Sequence, residues 1–130
     1  MRRPVRAMSG VAAAGLALAG LTAAMRPGIL SQAGGGLWEV SGAPGSQAQK
    51  ICLPDPGLLA QFEHRRASCT RVVFRDDSSL TEVHYTCSGG GFGTSKIGSL
   101  TPRSFRIETQ GISGNAPFHY TLQARKIGSC

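Results

Sequence analysis

Residues 69–87, CTRVVFRDDSSLTEVHYTC, decide the fold that the sequence predicts. Two runs of alternating apolar and polar residues flank the turn-forming cluster DDSS at 76–79, and a cysteine stands at each outer end. Alternation on both sides of a polar turn predicts a β-hairpin, and the two cysteines make a disulfide across it a candidate. The segment therefore indicates antiparallel sheet, while it contains no pattern that identifies an activity.

The side chains of this hairpin predict which of its faces is buried. Val72 and Phe74 share one face of the first strand, and Val83 and Tyr85 share one face of the second. Setting the two pairs against each other buries four apolar side chains. That register directs the charged and polar side chains outward, namely Arg71, Arg75, Glu82 and His84.

The hairpin cysteines conflict with this register. Cys69 has the parity of the outward residues, whereas Cys87 has the parity of the inward ones. Because a disulfide cannot reach through a sheet, a direct bridge needs a bulge or an irregular strand end near Ser68.

The chain has four cysteines, an even number that predicts two disulfides in an oxidising compartment. A meander from residue 69 onward places Cys69 and Cys87 at one end of the sheet and Cys130 at the other. This favours Cys69–Cys87 with Cys52–Cys130. The alternative pairing is Cys52–Cys69 with Cys87–Cys130, and spacing alone leaves it open.

The start of the chain predicts export. The basic segment MRRPVR precedes an apolar run that ends at residue 24, which is the pattern of a secretory signal peptide. We predict a signal peptide at 1–24, with cleavage after Ala33 as the alternative, and an uncleaved anchor is disfavoured because Gly, Ser and Thr dilute the run. Residues 25–36 are then a flexible lead-in, and residues 37–130 form a single disulfide-stabilised β domain.

Removal of the predicted signal peptide lowers the net charge of the mature chain. The full chain carries 14 Lys and Arg against 7 Asp and Glu, a formal charge of +7. The predicted signal takes three arginines with it, so the mature chain retains 11 basic and 7 acidic residues, a charge of +4. A mildly basic domain suits contact with an anionic surface. The candidate contacts are Arg65, Arg66, Arg71, Arg75, Arg125 and Lys126.

The rest of the chain predicts a mainly β fold. Alternating patterns and turn residues place further strands at 36–41, 47–53, 94–100, 104–110 and 118–124. We expect an antiparallel curved sheet, or a partly open barrel-like meander, with one short helix at about 55–66 packed on it. Asp55 can cap that helix with Pro56 at its first position, and the residues from Glu63 to Arg66 would face solvent.

The chemistry-bearing residues do not form a recognisable centre. The three histidines, His64, His84 and His119, lack metal-ligand spacing. The glycine cluster at 88–93 lacks the Lys-Ser/Thr of a phosphate-binding loop and predicts a turn. Trp38 predicts a core anchor. We therefore expect no catalytic residue, no metal and no cofactor.

Several short motifs in order resemble one bacterial family. They are GLWEV at 36–40, ICL at 51–53, YTC at 85–87 and RKIGSC at 125–130. The set resembles the exported family catalogued as domain of unknown function 3617, and the likeness covers essentially the whole mature chain. The resemblance implies a periplasmic address in a Gram-negative bacterium, and it implies no established activity.

These observations favour a non-enzymatic binding or scaffolding module for an envelope partner or a small apolar ligand. An apolar concave face would contact the ligand, lined by Phe62, Phe105, Phe118, Tyr120 and Leu122. The alternative is an electrostatic binder of anionic envelope lipid or polymer, which depends on the basic residues named above. An uncharacterised enzyme is a third class, and a nucleic-acid role is disfavoured because aromatic residues do not interleave with the arginines.

Overall fold

The computed structural model describes residues 28–130, so the predicted signal peptide at 1–24 lies outside the described residues. Within them, one sheet is built from β1 (Gly36–Ser41), β2 (Gln49–Leu53), β3 (Cys69–Asp76), β4 (Leu80–Cys87), β5 (Phe92–Thr101), β6 (Ser104–Ser113) and β7 (Ala116–Gly128). Each of these strands contains the segment, or most of it, that the alternating pattern predicts.

The sheet is open and antiparallel throughout. Its strand order is β2-β1-β7-β6-β5-β4-β3. Strands β3 to β7 form a meander, and β7 then pairs with β1, whose other neighbour is β2. The mainly β prediction is therefore confirmed, and β2 and β3 are the two edges of the sheet.

A 3₁₀ helix (Pro56–His64) packs against one face of the sheet, which we call the inner face. Asp55 precedes it and accepts a hydrogen bond from the Gly57 amide at 2.8 Å, as expected for a helix cap. Leu59 and Phe62 are buried against the sheet. The helix expected at about 55–66 is thus present, but it is a 3₁₀ helix with a backbone break at Gln61.

The core lies between this helix and the inner face. Trp38 is fully buried, which confirms its expected role as a core anchor. The residues expected to line an open concave face instead fill the core: Phe62, Phe105, Tyr120 and Leu122 are buried, and Phe118 packs against them. That expectation is wrong because the 3₁₀ helix covers this part of the sheet. A fully buried side chain of this size contributes roughly 1.5–3 kcal/mol to folding.

The hairpin register differs from the sequence prediction by one residue. Arg71 lies opposite Tyr85, so Arg71 and Val73 are on the inner face of β3. Val72 is on the outer face and is 53% exposed. The prediction was wrong because it required arginine to face solvent, whereas Arg71 pairs with Asp55 on the inner side.

This register removes the conflict between the hairpin cysteines. Cys69 lies directly opposite Cys87, with both side chains on the inner face, and the two form a disulfide with a Cα–Cα distance of 3.9 Å. The second disulfide joins Cys52 to Cys130. The structure therefore contains the pairing that the meander argument favoured.

The irregularity in the hairpin lies elsewhere than expected. No register shift occurs at Ser68, and pairing is continuous from Cys69 to Val73. The shift falls between Val73 and Arg75, which places the extra residue at Phe74. Phe74 is 64% exposed, so the prediction that it faces the core is also wrong.

Part of the lead-in expected at 25–36 is ordered. A short helix α1 (Ile29–Ala33) buries Ile29 and Leu30 in the core cluster. The Gly34 amide donates to the Leu30 carbonyl at 3.2 Å, and Gly34 has a φ of 68° that ends the helix. Flexibility is the wrong expectation for this part because its two apolar side chains pack in the core.

Candidate functional site

A cleft of about 390 Å³ lies beside the edge strand β3. It separates the inner face of β3 and β4 from α1 and from the first turns of the 3₁₀ helix. Its apolar walls come from Leu30, Ala60, Val73 and Val83, and its polar groups come from Ser31, Asp55, Arg71, Asp76 and Thr81. We call this the β3 cleft.

Small residues on the helical side keep the β3 cleft open. Ala60 is fully buried and contributes only a methyl group to the lining. At Gly57 an added Cβ would lie 2.3 Å from Nη1 of Arg71. A side chain at this position would therefore displace the Arg71 guanidinium from its place beside the helix backbone.

An ion pair forms one wall of the β3 cleft. Nη2 of Arg71 donates to Oδ2 of Asp55 at 2.5 Å. This hydrogen bond, opposed by burial and aided by the Gly57 amide, holds the pKa of Asp55 below its usual range. Nη1 of Arg71 is buried and has no hydrogen-bond partner among residues 28–130. A buried unpaired donor costs about 1–3 kcal/mol, so this atom has unused capacity for an acceptor.

A second carboxylate stands at the far end of the β3 cleft. Oγ1 of the buried Thr81 donates to Oδ1 of Asp76 at 2.8 Å. Among residues 28–130, the lining carries one cation, Arg71, and two carboxylates, those of Asp55 and Asp76. This balance disfavours an anionic ligand and permits a neutral one.

A hydrogen-bonded cluster closes the opposite end of the 3₁₀ helix. Nδ1 of His64 lies 2.9 Å from the Tyr85 hydroxyl, and the Tyr120 hydroxyl donates to Glu63 at 2.6 Å. Glu63 and His64 therefore turn towards the sheet, and the expectation that they face solvent is wrong. We call these four residues the tyrosine cluster.

The tyrosine cluster holds its phenols neutral. Burial, followed by the nearby Glu63 carboxylate, raises the pKa of Tyr85 to about 12. Burial and the hydrogen bond to Glu63 raise the pKa of Tyr120 further. Neutral phenols paired with acceptors satisfy buried polar groups, so the cluster fits a structural role.

Two larger depressions, each of about 520 Å³, are less suited than the β3 cleft to binding a small molecule. One lies beside Glu63 and Arg65, whose polar atoms already bond to Tyr120 and to the Phe62 carbonyl. The other is a shallow surface near the exposed Phe92. The β3 cleft differs because its walls are mostly apolar and one of them contains a buried donor without a partner.

The basic residues proposed from the sequence do not form one patch. Three of them pair with carboxylates: Arg71 with Asp55, Arg75 with Asp77, and Arg125 with Glu39. Lys126 donates to the Ala33 carbonyl at 2.7 Å, and the Arg65 guanidinium lies 4.4 Å from the centre of the Phe62 ring. Arg66 is exposed. Pairing on separate strands leaves little concentrated positive charge.

The positions of His84, His119 and the glycine cluster at 88–93 indicate structural roles. His84 stacks on Phe74 with ring centres 4.1 Å apart, and His119 is exposed on β7. In the described part of the chain, no group of three His, Cys, Asp or Glu residues is placed to hold a metal ion. The glycine cluster forms the turn between β4 and β5, where Gly89 and Gly90 have φ values of 98° and 97°.

Sequence reasoning missed the β3 cleft because of the register error. With Arg71 and Val73 assigned to the outer face, the inner side of β3 showed no polar group. One signal was present: Cys69 shares its parity with Arg71, and a direct bridge to Cys87 requires both to face inward. If the Cys69–Cys87 bridge is given more weight than the preference of Arg71 for solvent, the sequence predicts the register that the structure shows.

The fold and site define a small β domain with two disulfides and a mainly apolar cleft beside β3. No model of a known protein family matches the chain, and no curated protein or solved structure matches it. Among the helices of residues 28–130, none has the length and apolar character needed to cross a membrane. The two disulfides of the protein are typical of an oxidising, extracytosolic compartment.

Proposed function

We propose that this protein is a non-enzymatic binding module that holds a small, neutral and mainly apolar molecule in the β3 cleft. The observation that carries the proposal is the cleft itself, with about 390 Å³ between mostly apolar walls. Pockets of this size suit small ligands when a few polar groups fix the orientation of an apolar body.

The polar groups of the β3 cleft support a specific ligand chemistry. Arg71 has an unpaired donor, while its charge is already balanced by Asp55. A carbonyl or hydroxyl oxygen matches that donor once the guanidinium turns away from Gly57. Asp76 adds a negative charge, so a carboxylate ligand would meet repulsion.

We further propose that the domain is exported to the periplasm and is a member of the family of unknown function that it resembles. The basic and apolar start of the chain and the two disulfides support this address. Burial of Ile29 and Leu30 favours cleavage after Ala24, because cleavage after Ala33 would remove both from the core. Amino-terminal sequencing of the mature protein should begin at Met25, and a start at Gly34 would contradict this proposal.

Fluorescence titration with N-phenyl-1-naphthylamine, a neutral apolar probe, tests the proposed binding. Val73 lines the β3 cleft and is 55% exposed, so Val73→Trp should fill the cleft without disturbing the core. Val72 is 53% exposed on the opposite face, and Val72→Trp is the matched control. We expect Val73→Trp to weaken binding at least about tenfold, a loss near 1.4 kcal/mol.

The controls separate binding from stability. Both variants should keep the wild-type far-ultraviolet circular dichroism, and Val72→Trp should bind the probe as the wild type does. The proposal fails if the wild type shows no saturable binding, or if both variants bind equally well.

A further inference from the structure

The edge strand β3 exposes an unusual run of apolar side chains. Val72, Val73 and Phe74 are 53%, 55% and 64% exposed. They are consecutive, and they account for most of the large exposed apolar residues between 28 and 130. An edge strand with such a run is a template for pairing with another strand.

The backbone of β3 shows which groups are free to pair. The Ser88 amide donates to the Ser68 carbonyl at 2.9 Å, and Cys69 lies opposite Cys87. In an antiparallel ladder the bonded residues alternate. Residues 70 and 72 therefore bond to β4, whereas Cys69, Arg71 and Val73 direct their N–H and C=O groups to the open edge.

We propose that β3 pairs antiparallel with β3 of a second copy, about a twofold axis at Val72. In this register Val72 faces Val72 of the other copy as a non-hydrogen-bonded pair. Arg71 of each copy exchanges backbone hydrogen bonds with Val73 of the other, which uses the free groups of both residues. Thr70 then lies opposite Phe74, so part of the exposed ring becomes covered.

Charge selects this register over its neighbours. A shift that centres the axis on Arg71 would set two arginines directly opposite each other, which is destabilising. A shift towards the turn would move the irregular residue Phe74 from the end of the ladder towards its centre. The axis at Val72 avoids both, and each Arg71 keeps Asp55 as its own partner.

The other edge does not offer the same surface. Strand β2 has five residues, and none of its large apolar side chains is among the exposed ones. Pairing through β3 alone gives a closed dimer in which two sheets become continuous.

Cysteine cross-linking tests the register directly. The Cα atoms of a non-hydrogen-bonded pair are about 4.5 Å apart, within reach of a disulfide. Val72→Cys should therefore form a covalent dimer on mild oxidation, visible on a non-reducing gel. Val73→Cys, with nearly the same exposure but facing Arg71 of the other copy, should cross-link severalfold less. Peptide mapping should show that the native disulfides are kept.

A second variant tests the dimer without a new thiol. The Val73 amide is free in the monomer, so Val73→Pro removes no hydrogen bond of the fold but blocks the edge. Sedimentation equilibrium should show a concentration-dependent dimer for the wild type and for Val73→Thr, and a monomer for Val73→Pro. Equal cross-linking of the two cysteine variants, or a wild type that stays monomeric at millimolar concentration, overturns the proposal. A monomer that binds an extended peptide of another protein along β3 overturns it as well.

Discussion

Both edges of the sheet are secured by a disulfide, but the two edge strands differ in length and in the burial of their side chains. Each edge strand contains one half of a disulfide: Cys52 in β2 and Cys69 in β3. Strand β2 is short and buries Leu53 in the core. Strand β3 is longer, has no buried side chain, and borders both the β3 cleft and the exposed apolar run.

This difference shows what a disulfide allows at an edge. Strand β3 contributes little to the core, so its attachment depends on hydrogen bonds to β4 and on the Cys69–Cys87 bond. A covalently held strand can leave its inner side partly uncovered without detaching. The cleft and the pairing surface are both located on this side of the molecule.

Removing each disulfide gives the largest expected effects. The Cys52–Cys130 bond spans 78 residues and the Cys69–Cys87 bond spans 18. From loop-closure entropy, replacing both cysteines by serine should cost about 4.5 kcal/mol for the first and about 3 kcal/mol for the second. Urea unfolding of the two double variants measures these losses. A larger loss for Cys69–Cys87 would show that β3 matters to the fold more than its exposure indicates.

Hydrogen exchange on the same variants sharpens the contrast. Loss of the Cys69–Cys87 bond should increase exchange mainly in β3, because few buried contacts hold that strand. Loss of the Cys52–Cys130 bond should affect protection more widely. Equal and uniform changes in both variants would contradict the difference between the edges.

A smaller effect is expected at high pH from Tyr85, which lies opposite Arg71 in the hairpin. The pKa of Tyr85 is raised in the folded state from 10.0 to about 12. The contribution of Tyr85 to the free energy of unfolding is therefore fully present below pH 10 and is lost as the pH rises towards 12. Tyr85→Phe should show a shallower loss of stability over this range, measured as urea midpoints. An unchanged alkaline slope would show that other groups control it.

The strands could be predicted because their alternation is local. From Ser104 to Ala124, apolar and polar side chains alternate, and the structure places both strands there. The helix cap at Asp55 and the turn at 88–91 follow equally from neighbouring residues. Such features depend on a few adjacent positions, which the sequence shows directly.

The lining of the cleft could not be predicted from local patterns because it depends on distant partners. Arg71 faces inward in the register that joins Cys69 to Cys87, and Asp55, 16 residues earlier, is brought beside it by the 3₁₀ helix. His64 and Glu63 turn inward because Tyr85 and Tyr120 supply their hydrogen-bond partners. In each case a polar residue expected at the surface has a partner that only the tertiary structure provides.

Nuclear magnetic resonance titration with N-phenyl-1-naphthylamine tests the central claim most directly. Amide shifts report where the probe binds, so they distinguish the two edges in one sample. We predict saturable shifts around the β3 cleft, at Ala60, Val73 and Val83, and none at Lys50 or Ile51 of β2. Shifts confined to the β2 edge, or no saturable shifts at any site, would contradict the proposal that the β3 cleft binds a small apolar ligand.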